Sequence, residues 1–286
     1  MNIFIIGSNG YIANRLVKNI TAKHEIKLVS SHPHGADEIY LDLADASVFK
    51  YGLINKDDYV VLLASVSSPD ICNNNFDLAY KINVTGTALF ARECLKRQAR
   101  LLFFSSDTVY GDSGESFDEN SKCDPAGKYA KMKYEVETEF IGERGFKVFR
   151  PSYVFSRDDK FTKYLYDCSR QAKVAEVFHP FYRSTVYIED LTLAVTSILD
   201  EWDKWGNKVF NICGPKLISR LDLAGIYKDE IDRGLKIKSV EPPPDFFESR
   251  PRKIEMKSLY FSKLIKRYPI TINEAMALEF KAKRRK

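Results

Sequence analysis

Glycine and proline are scarce in this 286-residue chain, at 14 and 11 residues, which excludes a collagen-like repeat and a Gly/Pro-rich low-complexity segment. Cysteine is scarcer. Cys72, Cys94, Cys123, Cys168 and Cys213 are odd in number, far apart and free of any C-x-x-C pair. That predicts neither a disulfide framework nor a metal site, and a reducing cytoplasm as the setting. No apolar run approaches the ~20 residues of a membrane span, and Ile3–Ile6 behind Met1-Asn2 is too short for a signal peptide. A real charge excess is also missing. The net charge of +5 equals the five cations Lys281, Lys283, Arg284, Arg285 and Lys286, so the remaining body is neutral. No nucleic-acid or membrane surface is expected, and the basic tail reads as a solvated end. Apolar residues (44%) and aromatics (13%) are plentiful, enough to exclude disorder and to fill one large core or two unequal lobes.

The first half alternates short β-rich runs with helical patterns. Strands are expected at Ile3–Ile6, Ile26–Ser30, Tyr59–Ala64, Leu101–Ser105 and Phe146–Arg150, and helices at Tyr11–Ala22, Phe76–Arg97 and Lys128–Arg144. The strand runs are continuously apolar, as in strands covered on both faces. The fold class is therefore α/β, a Rossmann-like doubly wound parallel sheet with right-handed crossovers. Beyond Pro151 the pattern loosens into helices near Phe161–Lys173, Asp190–Trp202 and Arg220–Ile231 and strands near Thr185–Ile188 and Val209–Cys213. Pro242-Pro243-Pro244 then breaks the chain before two terminal helical patterns. A dinucleotide-binding domain is expected at 1–152, with 184–213 returning to it, and a smaller, mainly substrate-binding domain at 153–286.

Gly7-Ser8-Asn9-Gly10-Tyr11-Ile12-Ala13 follows the first strand and opens a helix. Glycine suits the sharp turn and the close approach of backbone to a pyrophosphate, and the helix start offers unpaired N–H groups to the anion. An unliganded tight turn is the plainer reading of the same residues. A carboxylate ending the second strand would select NAD. Ser30-Ser31-His32 stands there instead, and with Arg15 nearby it predicts NADP in preference to NAD. Asp42 could accept from the adenine amino group or simply cap a helix.

Tyr129 and Lys133 form the one Tyr-x-x-x-Lys pair in the chain and share a helix face. An adjacent ammonium would make the phenol a usable acid or base; a surface pair is the alternative. Ser106, 23 residues before Tyr129, lies in Ser105-Ser106-Asp107-Thr108-Val109-Tyr110-Gly111 at a strand's carboxyl end, where open α/β sheets bind ligands. Its hydroxyl could polarise a substrate carbonyl. Asn83, inside a long helix, could bend it or hold a water near Lys133, or face solvent.

Taken in order, Gly7…Gly10…Ala13, Asn83-Val84-x-Gly86-Thr87, the Ser105–Gly111 segment, Tyr129-x-x-x-Lys133, Arg150-Pro151-Ser152-Tyr153-Val154-Phe155, Val186–Leu191 and Val209–Pro215 resemble the extended short-chain dehydrogenases/reductases. The resemblance implies a catalytic set of Ser106, Tyr129 and Lys133, supported by Asn83 and Asp107. It implies a dinucleotide held by Gly7, Asn9, Gly10, Tyr11, Ile12, Arg15, Ser30, His32, Asp42, Leu43, Ala64, Ser65, Lys133 and Pro151. It also implies a nucleotide-linked sugar as substrate; Arg183 and Arg250 are the candidate cations for its diphosphate, or ordinary surface charge, and Tyr153 could stack on the base or line the sugar pocket, or pack in the core. Thr108 stands where the similar 4,6-dehydratases carry a catalytic glutamate. Similar epimerases are longer. The length, with Arg250-Pro251 running on to Leu259, is most like the dTDP-4-dehydrorhamnose reductase-like enzymes, though Ala13 and the leading serines depart from their pattern. The expected activity is NAD(P)H-dependent reduction of a nucleotide-linked 4-keto sugar. An epimerase with tightly bound NAD and a non-catalytic cofactor-binding subunit are the alternatives, and pairing of Phe76–Arg97 with Lys128–Arg144 could give a homodimer.

Overall fold

A computed structural model describes residues 1–20 and 24–281. Ala22 and the tail cations beyond Lys281 lie outside the described residues. Seven parallel strands form the central sheet: β1 (Asn2–Ile6), β2 (Glu25–Ser30), β3 (Ile39–Tyr40), β4 (Tyr59–Leu62), β5 (Arg100–Phe104), β6 (Phe146–Pro151) and β7 (Val209–Ile212). Their order is β7-β6-β5-β4-β1-β2-β3. The order of connection reverses between β1 and β4, which pair in parallel, and in open α/β sheets it is beyond the strands' carboxyl ends at such a switch point that ligands bind.

Alternation of side chains along each strand divides the core into two layers. Ile3 and Ile5 face one side with Leu16, Leu191, Val195 and Ile198; Phe4 and Ile6 face the other with Phe90, Ala91, Val136 and Phe140. Both faces are apolar because both are roofed by helices, which is why the strand sequences read as unbroken hydrophobic runs.

The helices correct the sequence reading in two places. The first spans Tyr11–Asn19. The long helix expected over Phe76–Arg97 is an α-helical segment Phe76–Tyr80, a π-helical stretch Lys81–Gly86 and a second α-helix Thr87–Lys96, preceded by a short helix Pro69–Asn74. Gly86 lies so close to Leu43 that an added Cβ would fall 1.7 Å from the Leu43 carbonyl oxygen.

The remaining chain builds small sheets, of whose strands the sequence reading expected only the one near Thr185–Ile188, found at Val186–Tyr187. Ile218–Ser219, Tyr182–Arg183, Lys253–Met256 and Ser116–Phe117 form one, Val174–Phe178 pairs with Lys236–Val240, and Val154–Phe155 pairs with Val186–Tyr187. Of the two terminal helical patterns, Phe261–Leu264 is a single short turn preceded by a strand, and Ile272–Lys281 is a full helix. No described helix is long and apolar enough to cross a membrane.

Candidate active site

The glycine turn is built by close contacts. Gly7 adopts φ +86°, and a Cβ there would lie 2.8 Å from the Ala64 nitrogen, so β4's exit and the turn can touch only through glycine. Gly7 N–H and Ser8 N–H both donate to Val29 O, at 2.8 and 3.1 Å. Gly10 caps the Tyr11–Asn19 helix without a side-chain hydrogen bond, leaving the N–H groups at its start unpaired by any cap. The buried Ser8 hydroxyl also lacks a partner. A glycine cradle, an uncapped helix start and an orphan buried hydroxyl fit the phosphates of a dinucleotide.

Around this turn the expected cofactor residues separate into groups. Asn9 donates to Ser30 Oγ (2.9 Å) and to His32 O (2.8 Å), and His32 N–H donates to Ser30 Oγ (2.8 Å), so the Ser30 hydroxyl holds the β2 exit together while the His32 side chain is exposed. Asp42 accepts from Ala44 N–H at 2.8 Å and caps the 3-10 helix Leu43–Val48, the second of the two readings given for it. Leu43 is buried, packed in the β-sheet's second layer. Arg15 does not reach toward Ser30 as a free cation. It is paired with Glu189 and, at 2.8 Å, with Glu279, which removes it from the reasoning that favoured NADP. Pro151 ends β6.

Tyr129 and Lys133 project from the Gly127–Phe140 helix toward the carboxyl end of β5. Lys133, 3% exposed, donates to Phe104 O at 2.9 Å, and its ammonium lies 5.9 Å from the centre of the Tyr129 ring. Burial pulls its pKa down to about 8, against the raising influence of Glu137 and Cys72. Burial pushes the Tyr129 phenol well up, and a hydrogen bond shared with Ser65 opposes this only in part. The phenol is therefore protonated at neutral pH.

Ser106 caps the short helix Asp107–Tyr110 just beyond β5. Its oxygen accepts from Thr108 N–H (3.2 Å) and Thr108 Oγ1 (2.9 Å), while its own proton points to Asp107 Oδ1 (3.2 Å). Asp107 is buried. Burial raises its pKa, opposed by Arg183 at 3.4 Å and by Ser152, which donates at 3.0 Å. The neighbouring Ser105 hydroxyl is buried and unpartnered, a second orphan at this strand end.

Asn83 sits in the π-helical stretch, 2% exposed, and its amide clamps the loop after β4. It accepts from Val66 N–H (2.8 Å) and Ser65 Oγ (3.2 Å) and donates to Val66 O (2.9 Å). Ser65 in turn meets Tyr129, so Asn83 connects to the phenol through one hydroxyl.

The expected substrate residues are less free than the sequence suggested. Arg183 is buried, donating to Tyr182 O and Pro251 O at 2.6 and 2.9 Å besides facing Asp107; burial pulls its pKa down to about 10. Arg250 is paired with Asp70 at 2.6 Å, 180 positions earlier in the chain. Tyr153 donates to Asp159, and the Arg220 guanidinium lies 3.9 Å over its ring. Arg220 was not anticipated. A groove of about 460 Å³ runs beside the Arg250 bridge, lined by Asp70, Asn73, Asn74, Phe246, Glu248 and Ser249 among others. Among the described residues, no group of three or more His, Cys, Asp or Glu side chains could hold a metal ion.

A parallel sheet with a switch point, a glycine turn on its first strand and a Tyr-x-x-x-Lys helix against its fifth define the short-chain dehydrogenase/reductase class. Within that class the chain belongs to the RmlD substrate binding domain family, whose model matches residues 1–265. It is 29% identical over 174 residues to N-acetyl-alpha-D-glucosaminyl-diphospho-ditrans,octacis-undecaprenol 4-epimerase of Escherichia coli O157:H7, covering 57% of this chain and about half, 52%, of that relative's length. Two solved structures share the fold across its whole extent. MoeE5 in complex with UDP-glucose and NAD has a TM-score of 0.84 at 18% identity, covering 100% of this chain and 99% of that one. A dTDP-4-dehydrorhamnose reductase from Clostridium acetobutylicum has a TM-score of 0.83 at 21% identity, covering 99% and 100%.

Proposed function

We propose that the protein reduces the 4-keto group of a nucleotide-linked deoxy sugar, using a nicotinamide dinucleotide. What supports this reading is a protonated, half-buried phenol with a buried ammonium 5.9 Å from its ring centre, that ammonium bonded to the Phe104 carbonyl two residues before Ser106, together with a glycine turn fit for a pyrophosphate. The bound dinucleotide would supply a hydride to the carbonyl carbon. Tyr129 would give its proton to the carbonyl oxygen, and the resulting phenolate, stabilised by Lys133, would be reprotonated from water. Ser106 would turn its proton from Asp107 to the same oxygen, with Thr108 still donating to it from behind. Residues 1–152 with 184–213 would hold the dinucleotide, through Gly7, Ser8, Gly10, Tyr11 and Ile12 at its phosphates. The β2 exit carries no carboxylate from Ser30 to His34, so NADPH should bind more tightly than NADH even with Arg15 engaged elsewhere.

Purified protein should consume NADPH when given a dTDP- or UDP-linked 4-keto-6-deoxy sugar. Tyr129→Phe should reduce the rate at least ~100-fold while leaving NADPH binding intact; a Tyr129→Phe enzyme with wild-type turnover would remove the assigned acid. Epimerisation is the second reading, favoured by the 4-epimerase relative. Dinucleotide copurifying with the protein, and sugar interconversion without added NADPH, would select it.

A further inference from the structure

Of the side chains assigned to the chemistry at Tyr129, two are already committed elsewhere. The Lys133 ammonium donates to Phe104 O at 2.9 Å, and the Ser106 hydroxyl donates to Asp107 Oδ1 at 3.2 Å. The hydrogen bond of the phenol is with Ser65, on the loop that leaves β4. A serine hydroxyl has one hydrogen to give and two lone pairs to offer, so the bonds around it decide which of these Tyr129 meets.

Asn83 makes that decision. Its Oδ1 accepts from Val66 N–H at 2.8 Å and its Nδ2 donates to Val66 O at 2.9 Å, so the buried amide cannot turn over without setting donor against donor and acceptor against acceptor. Cys72 Sγ holds the same Val66 carbonyl at 3.2 Å. Asn83 therefore shows Ser65 an oxygen, and the Ser65 hydroxyl donates to it at 3.2 Å. What remains for Tyr129 is a lone pair: the resting phenol donates and Ser65 accepts. That arrangement suits a protonated phenol and fails a phenolate, unless the hydroxyl turns. Turning is cheap, because Asn83 Oδ1 keeps the shorter bond from Val66 N–H.

We propose that Ser65 is a positioning residue for Tyr129: its hydroxyl accepts from the phenol while the proton is in place, and swings from Asn83 to donate to the phenolate once that proton has passed to the substrate's carbonyl oxygen. The inference rests on the reading above, in which Tyr129 moves the proton. No proton leaves Ser65, which only exchanges one acceptor for another; the hydride still comes from the dinucleotide. The groups around the phenol leave this task to Ser65. Burial, Cys72 on the Pro69–Asn74 helix and Asp107 beyond β5 all oppose ionisation of the phenol, and Ser65 favours it. Lys133, on the same helix as Tyr129, stands 5.9 Å from the ring centre with its own bond to β5.

Carbon NMR of protein labelled at tyrosine Cζ tests this, the Tyr129 resonance being the one missing from Tyr129→Phe. With NADP added in excess, Tyr129 of Ser65→Ala should reach its phenolate position at a pH about 1 higher than in wild type. Ser65→Thr, which keeps the hydroxyl, should restore the wild-type midpoint. In keto-sugar reduction Ser65→Ala should lower kcat about 10-fold with both KM values held. Should Ser65→Ala fail to fold in a thermal melt, Ser65→Cys, a weak donor of similar shape, should show the same upward shift. An unshifted midpoint in the folded variant, or a Tyr129 that stays protonated to about pH 11 in both proteins, overturns the proposal. The resonance needs no turnover, so a shifted midpoint in a protein that reduces no keto sugar would support Ser65 and remove the reductase reading instead.

Discussion

Buried charge is the chief expense of this site, and it is concentrated on a few side chains. Lys133 gives up hydration for a single carbonyl bond, and burial takes its pKa from the usual 10.5 to about 8. Between those two values the unfolded chain holds a proton that the folded chain has released, so stability rises with pH across that window. Lys133→Met should therefore be more stable than wild type below pH 8, by up to about 3 kcal/mol less the ~1 kcal/mol lost with the Phe104 bond. The advantage should fade by pH 10.5 in urea-unfolding curves; a difference that stays flat would mean a hydrated ammonium. Glu137, one turn beyond Lys133 on the same helix, and Arg150 on β6 are both buried and joined at 2.5 Å. Glu137→Leu would strand the guanidinium, and a loss of about 3–5 kcal/mol in the same assay is expected.

At the level of elements, what could be read from the chain was what local chemistry dictates. The strands of the central sheet were legible because burial on both faces leaves an unbroken apolar run, and the glycine turn because positive φ and a 2.8 Å approach admit little else. The interruption of the Phe76–Lys96 helical stretch was not legible. It depends on Asn83 reaching the β4 loop and on Gly86 touching Leu43, both contacts between residues remote in sequence. Asn83 itself was singled out for being polar in a helix, yet its partner could not be named. The two-residue strands Ser116–Phe117, Tyr182–Arg183 and Ile218–Ser219 carry no periodicity to detect. Arg15 was visible as a cation, and its carboxylate partners were not. Gly86→Ala would drive a methyl into a backbone oxygen that no rotamer change can move, so a sharply lower melting temperature is expected, with a loss of several kcal/mol. Gly7→Ala should instead abolish NADPH binding, followed by cofactor fluorescence, since its strain falls at the phosphate turn.

For the whole molecule, the decisive contacts are those that carry one region onto another far along the chain. The Ile272–Lys281 helix is tied to the glycine-turn helix by Glu279, which accepts from Arg15, from Tyr187 at 2.9 Å and from Arg157 N–H at 3.2 Å. Burial works to raise the Glu279 pKa, and these hydrogen bonds outweigh it and hold the carboxyl below its usual value. Its stabilisation is present above the ordinary carboxylate range and is lost as pH falls through the lowered folded value. Glu279→Gln should thus cost about 3 kcal/mol at pH 7 and progressively less as pH falls below the ordinary carboxylate range, and hydrogen exchange in the Tyr11–Asn19 helix should quicken in that variant at neutral pH. Unaltered protection there would detach the two helices energetically. Arg15 is separated from Glu189 by 174 positions and from Glu279 by 264. A ribosome making this protein releases the first of the three long before the last. Until then the opening βα unit is exposed with an unneutralised guanidinium, so that unit should mature after synthesis, at the pace of its most distant partner.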